Sequence, residues 1–236
     1  MKSQKQKVDH RTRVGNERRL KMRMRLVESA LEVFDEKGIE ATVIDDVISA
    51  AGVARGTFYN YFQTIDELLA ALSMELGNDV MRSVERAVED YPDPALRLAS
   101  GLRLYLHTVL LYPSVSGFFW RAGLNAVGPS HLAFEYLPRH VQDGIDAGAL
   151  KVGAVATAID IIAGITLTTI RAASTREVAP DYPEQMVGHI LLALGVTRAT
   201  VARLLARDLP QIELSPDSML ARLAHGESTV NELAEP

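Results

Sequence analysis

The chain has 236 residues, no cysteine, 47% hydrophobic residues and a formal net charge of −5. That length suits one large domain or two small ones with an ordinary core. The missing cysteines exclude disulfides, thiolate zinc sites, iron–sulfur clusters and thiol catalysis. Residues 1–25 carry ten Lys or Arg against Asp9 and Glu17, whereas residues 63–236 carry 13 basic and 21 acidic side chains. A basic end on an acidic body points to a polyanion contact confined to that end.

Residues 1–16 lack apolar periodicity and are expected to form a flexible basic arm. Helical order is expected from Glu17, because Leu20, Met24, Val27, Leu31 and Phe34 recur at spacings of four and three. Gly38 after Lys37 is a helix stop. Thr42 is expected to cap a short helix with Asp45 and Asp46 in its first turn. Gly52 ends that helix and ARGTFYNYF (54–62) opens another. Two short helices joined by a tight glycine turn read as a helix-turn-helix. Thr64 and Glu67 form a capping box at the start of a longer helix from Ile65 to about Glu89.

After the YPDP turn (91–94), helices are predicted over about 95–111, within the aromatic stretch 114–128, and over 130–147, 153–175, 183–195 and 197–207. No alternating strand pattern appears, so the expected class is all-α. The expected organisation is an arm (1–16), a three-helix helix-turn-helix domain (17–64), a helical bundle (65–210) and a C-terminal tail (211–236). The segment 152–170 is apolar for a bilayer-spanning length. Asp160, its threonines and the lack of flanking aromatic anchors favour a buried or interface helix instead.

A helix that enters the major groove must present short polar or basic side chains at its N-terminal end. Arg55, Thr57 and Asn60 are of that kind, and Gly56 permits close backbone approach. Phe58 and Phe62, four apart, should face inward. Tyr59, Tyr61, Thr42 and Thr64 offer hydroxyls suited to phosphate oxygens, and Arg18 and Arg19 add salt-sensitive attraction. The run from Val27 to Leu72 resembles the DNA-binding domain of the TetR family of bacterial transcriptional repressors. The resemblance rests on Ala30 and Phe34, Gly38, Thr42, Ala51-Gly52-Val53, Gly56-Thr57-Phe58-Tyr59, Tyr61-Phe62 and Glu67-Leu68-Leu69. Three positions depart from the family pattern: Ile65 replaces a phosphate-contacting lysine, Tyr61 replaces a common histidine, and Ile48 replaces a small residue.

The resemblance implies a dimeric, ligand-responsive regulator, most simply a repressor released from a palindromic operator by a small molecule. It places Arg55, Gly56 and Asn60 near bases and Thr42, Thr57, Tyr59 and Tyr61 near the backbone. It also implies a homodimer built from the last two long helices, for which Gly164, Leu167, Ile190, Leu191 and Leu194 are the expected interface residues. An aromatic stretch suggests an apolar pocket, with Tyr105, His107, Phe118, Trp120, Arg121, Asn125 and Phe134 as candidate ligand contacts. The same aromatics would serve equally as core. No cofactor, metal or membrane partner is expected, and no nucleotide-loop, zinc-protease or serine-elbow motif is present. The implied location is the bacterial cytoplasm, at the nucleoid when DNA is bound. The alternative is a helical small-molecule-binding or interaction protein that does not read DNA specifically.

Overall fold

A computed structural model describes residues 2–123 and 131–223. Its helices are α1 (Lys2–Lys37), α2 (Ile44–Ala51), α3 (Arg55–Tyr59), α4 (Ile65–Val88), α5 (Pro94–Leu111), α6 (Pro113–Ala122), α7 (Ala133–Asp146), α8 (Val155–Thr175), α9 (Tyr182–Ala193) and α10 (Arg198–Leu205). No strand occurs among the described residues, in line with the all-α class. The chain divides into two compact units, Met1–Leu72 and Ser73–Pro236. The boundary lies inside α4, whereas the sequence placed it at the start of that helix.

In the first unit, Leu26, Val27, Ala30, Leu31 and Phe34 of α1 are buried, as are Val47 and Ala51 of α2, Phe58 of α3, and Phe62, Leu68 and Leu72. Leu20, on the expected apolar stripe, is 64% exposed. Helix α1 begins at Lys2 rather than near Glu17, so the expected arm is continuous with the helix. Lys, Gln and Arg are good helix formers, and a helix can extend without an apolar face. Periodicity reports burial, not helicity. Gly38 (φ 83°) and Gly52 (φ 60°) both adopt the left-handed conformation that ends α1 and α2.

Thr42 does not cap α2. Its hydroxyl donates to the Gly38 carbonyl at 2.7 Å, and the α2 N-terminus is closed by Asp46, whose carboxylate accepts the Val43 N–H at 3.1 Å. The α4 box forms as expected at its first half: Thr64 Oγ1 accepts the Glu67 N–H at 3.1 Å, while the Glu67 carboxylate accepts the Gln63 N–H at 2.7 Å.

The second unit is arranged around α5, which packs against α6, α7, α8, α9 and α10. Asp93 caps it, accepting the Ala95 N–H at 2.9 Å and leaving Pro94 at the first turn, where its missing N–H is harmless. Part of the expected tail is well seated: Met219, Leu220 and Ala221 are buried. Their helical turn is capped by the buried Asp79 carboxylate on α4, which accepts the Met219 N–H at 2.6 Å. Residues 224–236 of that tail lie outside the described residues.

Candidate nucleic-acid surface and ligand cavity

In the first unit, one open concavity of about 570 Å³ is lined by Gly15, Arg18, Arg19 and Met22 of α1 together with Thr57, Asn60 and Tyr61. Thus residues about 40 positions apart in sequence, selected separately for bases, backbone and long-range attraction, share one face. The local cause is the buried side of α3. Phe58 and Phe62 lie 6.0 Å apart, with Phe58 fully buried, which leaves their chain neighbours Thr57, Asn60 and Tyr61 exposed or partly exposed.

Arg55 opens α3, and its Nη1 meets both Asp45 carboxylate oxygens at 2.8 and 3.1 Å. A hydrogen bond with the Tyr59 side chain, aided by the Asp45 charge, raises the Arg55 pKa above its ordinary value. The guanidinium is therefore held charged and oriented at the tip of the helix. Gly56 is exposed, with open space where a Cβ would stand. Tyr59 is 39% exposed. Thr64 is exposed but its oxygen serves α4. Thr42 is the outlier: it is 6% exposed and its hydroxyl is already donated within the loop. Asp46, beside the turn, has its pKa lowered chiefly by the hydrogen bond from Lys37.

The second unit contains a cavity of about 320 Å³ lined by side chains from α4, α5, α7 and α8 and by Phe119 of α6. Of the candidate ligand contacts, Tyr105 and Phe134 line it. Tyr105 is pushed up to about 12 by burial, so its hydroxyl keeps its proton. Phe118 is fully buried core and its neighbour Phe119 lines the cavity instead, the two rings lying 5.9 Å apart. Trp120 lies outside the lining, under the Arg171 guanidinium at 4.5 Å. Arg121 is exposed and also outside the lining. His107 is exposed and paired with Glu184. Asn125 lies outside the described residues.

Sequence reasoning missed the polar wall. His140 Nε2 meets Glu85 Oε2 at 2.7 Å, and Arg139 meets Glu85 Oε1 at 3.1 Å. Arg97 is held by the Tyr91 carbonyl at 2.8 and 3.0 Å and by Asp143 at 3.4 Å. His131 packs where Gly77 has no side chain; a Cβ there would stand 1.8 Å from its Nε2. Burial lowers the His131 pKa. The spacing Ala133, Leu137, His140, Gly144 is an inward helical stripe, which could have singled out His140. Its partner Glu85, 55 residues away, carries no comparable signal.

The expected dimer residues divide. Ile190, Leu191 and Leu194 have no exposed surface, so they are core of their own chain and cannot form an interface. Their apolar type was read correctly but their direction was not. Leu167 lines the cavity, and Gly164 faces open space.

Residues 26–72 match the family described as bacterial regulatory proteins, tetR family. The repressor DhaR of Mycobacterium sp. (strain GP1) is 32% identical over 79 residues, 34% of this chain and 40% of DhaR. The regulator EthR of Mycolicibacterium smegmatis is 24% identical over 183 residues, covering 71% of this chain and 82% of EthR. Among solved structures, RolR in complex with resorcinol superposes with a TM-score of 0.70 at 25% identity, over 84% of this chain and all of that one. The matches to the first curated relatives thus span well under half of their length, while the fold likeness spans a whole chain.

Proposed function

We propose that the chain, whose residues 26–72 match the tetR family of bacterial regulatory proteins, is a dimeric repressor of that kind that releases a palindromic operator when a small molecule fills the cavity of its second unit. The observation that carries the DNA half is the common face of Arg18, Arg19, Thr57, Asn60 and Tyr61. Arg55, Gly56 and Asn60 would approach bases. Thr57, Tyr59, Tyr61 and the two arginines would meet phosphates, fixing register. Thr42, with its hydroxyl engaged, has no side-chain role in this reading.

Helix α8 supports the dimer. It is long and apolar enough to cross a membrane, yet only 28% of its most apolar stretch is buried within the chain. A second copy covering α8 and α9 accounts for that. Ile161, Gly164, Ile165 and Thr168 on α8, with Met186, His189 and Ala193 on α9, are among the residues left exposed or half-buried. Two such chains would present two reading heads to two half-sites.

The effector reading rests on the second unit's cavity. RolR was solved with resorcinol, and a compact, largely apolar or aromatic molecule is the proposed class here. Helix α4 begins in the first unit and supplies Met81, Val84, Glu85 and Val88 to the cavity wall. Ligand and DNA affinities would then be linked reciprocally, each weakening the other by the same factor. The test is selection of sites from random duplex DNA with the full chain. Enrichment of an inverted repeat is expected; binding without sequence preference would overturn the proposal.

A further inference from the structure

We propose that residues 2–14 of α1 are a second DNA-contacting element, a basic helical arm that lies on phosphates beyond the base pairs α3 reads. This rests on the DNA reading proposed above for the first unit. Helix α1 spans Lys2–Lys37, yet its first buried side chain among the described residues is Leu26. Across residues 13–25 none is buried, and 15–21 are all exposed. The core of the unit therefore does not use this part of the helix. At ~1.5 Å per residue, residues 2–14 carry the axis of α1 about 20 Å past Gly15, the length of about six base pairs.

Helical register sets the face that this extension offers. Gly15, Arg18 and Met22 line the concavity shared with Thr57, Asn60 and Tyr61. Toward the N-terminus the same stripe, in steps of four and three, continues through Arg11, Lys7 and Gln4. Asp9, the one acidic residue of the segment, stands two positions from both Lys7 and Arg11, about 200° round the helix. The face that borders the reading surface is thus continued by two cations and an amide, with the acid off it. Gly15, at the junction, leaves open space where a Cβ would stand, so a sugar-phosphate backbone can pass close to the helix there.

Charge selects the partner. Residues 2–14 hold five Lys or Arg against Asp9, and Val8 and Val14 are their only aliphatic side chains. The first turn holds no acidic residue to offset the positive helix end. Such a helix repels itself and has no apolar stripe to lay in a protein groove or a bilayer surface. A polyanion relieves the repulsion, and the duplex proposed at Arg18 and Arg19 lies on the same face of the same helix.

The test is hydroxyl-radical footprinting of the full-length protein and two full-length variants on the selected duplex, with the salt slope of binding measured alongside. The wild-type chain should protect the sequence-selected base pairs and about six more beside each half-site. K7Q/R11Q should lose that added protection, keep the choice of inverted repeat and lower the salt slope by about two per chain. Gly15→Pro keeps every charge but breaks the line of α1, and it should lose the added protection too. Both changes precede Leu26, so denaturant unfolding should match the wild type. Wild-type protection confined to the selected base pairs, or an unchanged footprint and slope in K7Q/R11Q, overturns the arm and leaves reading by α3 standing. An undisturbed footprint in Gly15→Pro overturns its action as a continuation of α1. A wild-type chain that prefers no sequence overturns the reading by α3 instead, and the salt slope on any duplex then decides the arm.

Discussion

The two units place their candidate functional groups in opposite environments. On the first, the side chains proposed to meet DNA are exposed and occupy one another: Arg55 rests on Asp45 and Tyr59, and Thr64 on the Glu67 N–H. On the second, they are buried in a largely apolar wall, where His140 Nδ1 and Thr166 Oγ1 have no partner among the described residues. Exposed groups in high dielectric contribute little to stability, so they can be tuned for a polyanion without endangering the fold. Buried groups affect stability and ligand affinity together. Surface substitutions in the head should therefore separate function from stability, while substitutions around the cavity should not.

The largest break would come from a buried aromatic beneath the proposed reading surface. Phe58→Ala should destabilise the protein by about 3–5 kcal/mol, seen in denaturant unfolding together with loss of DNA binding. Retained stability would mean that α3 is not anchored by Phe58. Next is Gly77→Ala, which sets a methyl 1.8 Å from His131 Nε2. A destabilisation of about 1–3 kcal/mol is expected, and His131→Ala should relieve most of it in a double-mutant cycle. Additive effects would place the strain elsewhere.

Smaller effects sharpen the contrast. Replacing Arg18 and Arg19 by Ala should leave the melting temperature unchanged and reduce the salt slope of DNA binding by about two. An unchanged slope would remove these arginines from the interface. The smallest effect expected is pH dependence from His131. Its folded pKa is lowered from the ordinary 6.5, so the neutral form is favoured on folding. Its contribution is complete above pH 6.5 and declines as pH falls through that value toward the folded pKa. His131→Gln should flatten the stability profile in that range. A profile that stays as steep would assign the titration to another group.

The head was legible because its signals are local. Gly38, Gly52 and the Phe58–Phe62 pair determine chain direction within a few residues, and their structural roles follow from backbone sterics and helical spacing. Thr42 was misread for a local reason too: its hydroxyl had two acceptable uses, and the Gly38 carbonyl took it. The cavity was legible only in composition. Phe118 and Phe119 are adjacent in sequence, and about 100° of helical rotation decides which is core and which is wall. Helix α9 shows the same limit. Ile190, Leu191 and Leu194 look like an interface stripe, yet they face the chain's own core. The Glu85–His140 contact joins residues of different helices, and no short-range spacing encodes it.

The most direct measurement is the affinity of the full-length protein for its selected duplex and for a scrambled duplex, with and without Arg55→Ala and Tyr59→Ala together. The wild-type chain should prefer its own duplex by about a thousandfold or more. The double variant should lose most of that preference while keeping its fold, its self-association and its salt-dependent binding to any duplex. Undiminished discrimination in the double variant would contradict the assignment of α3 as the element that reads sequence.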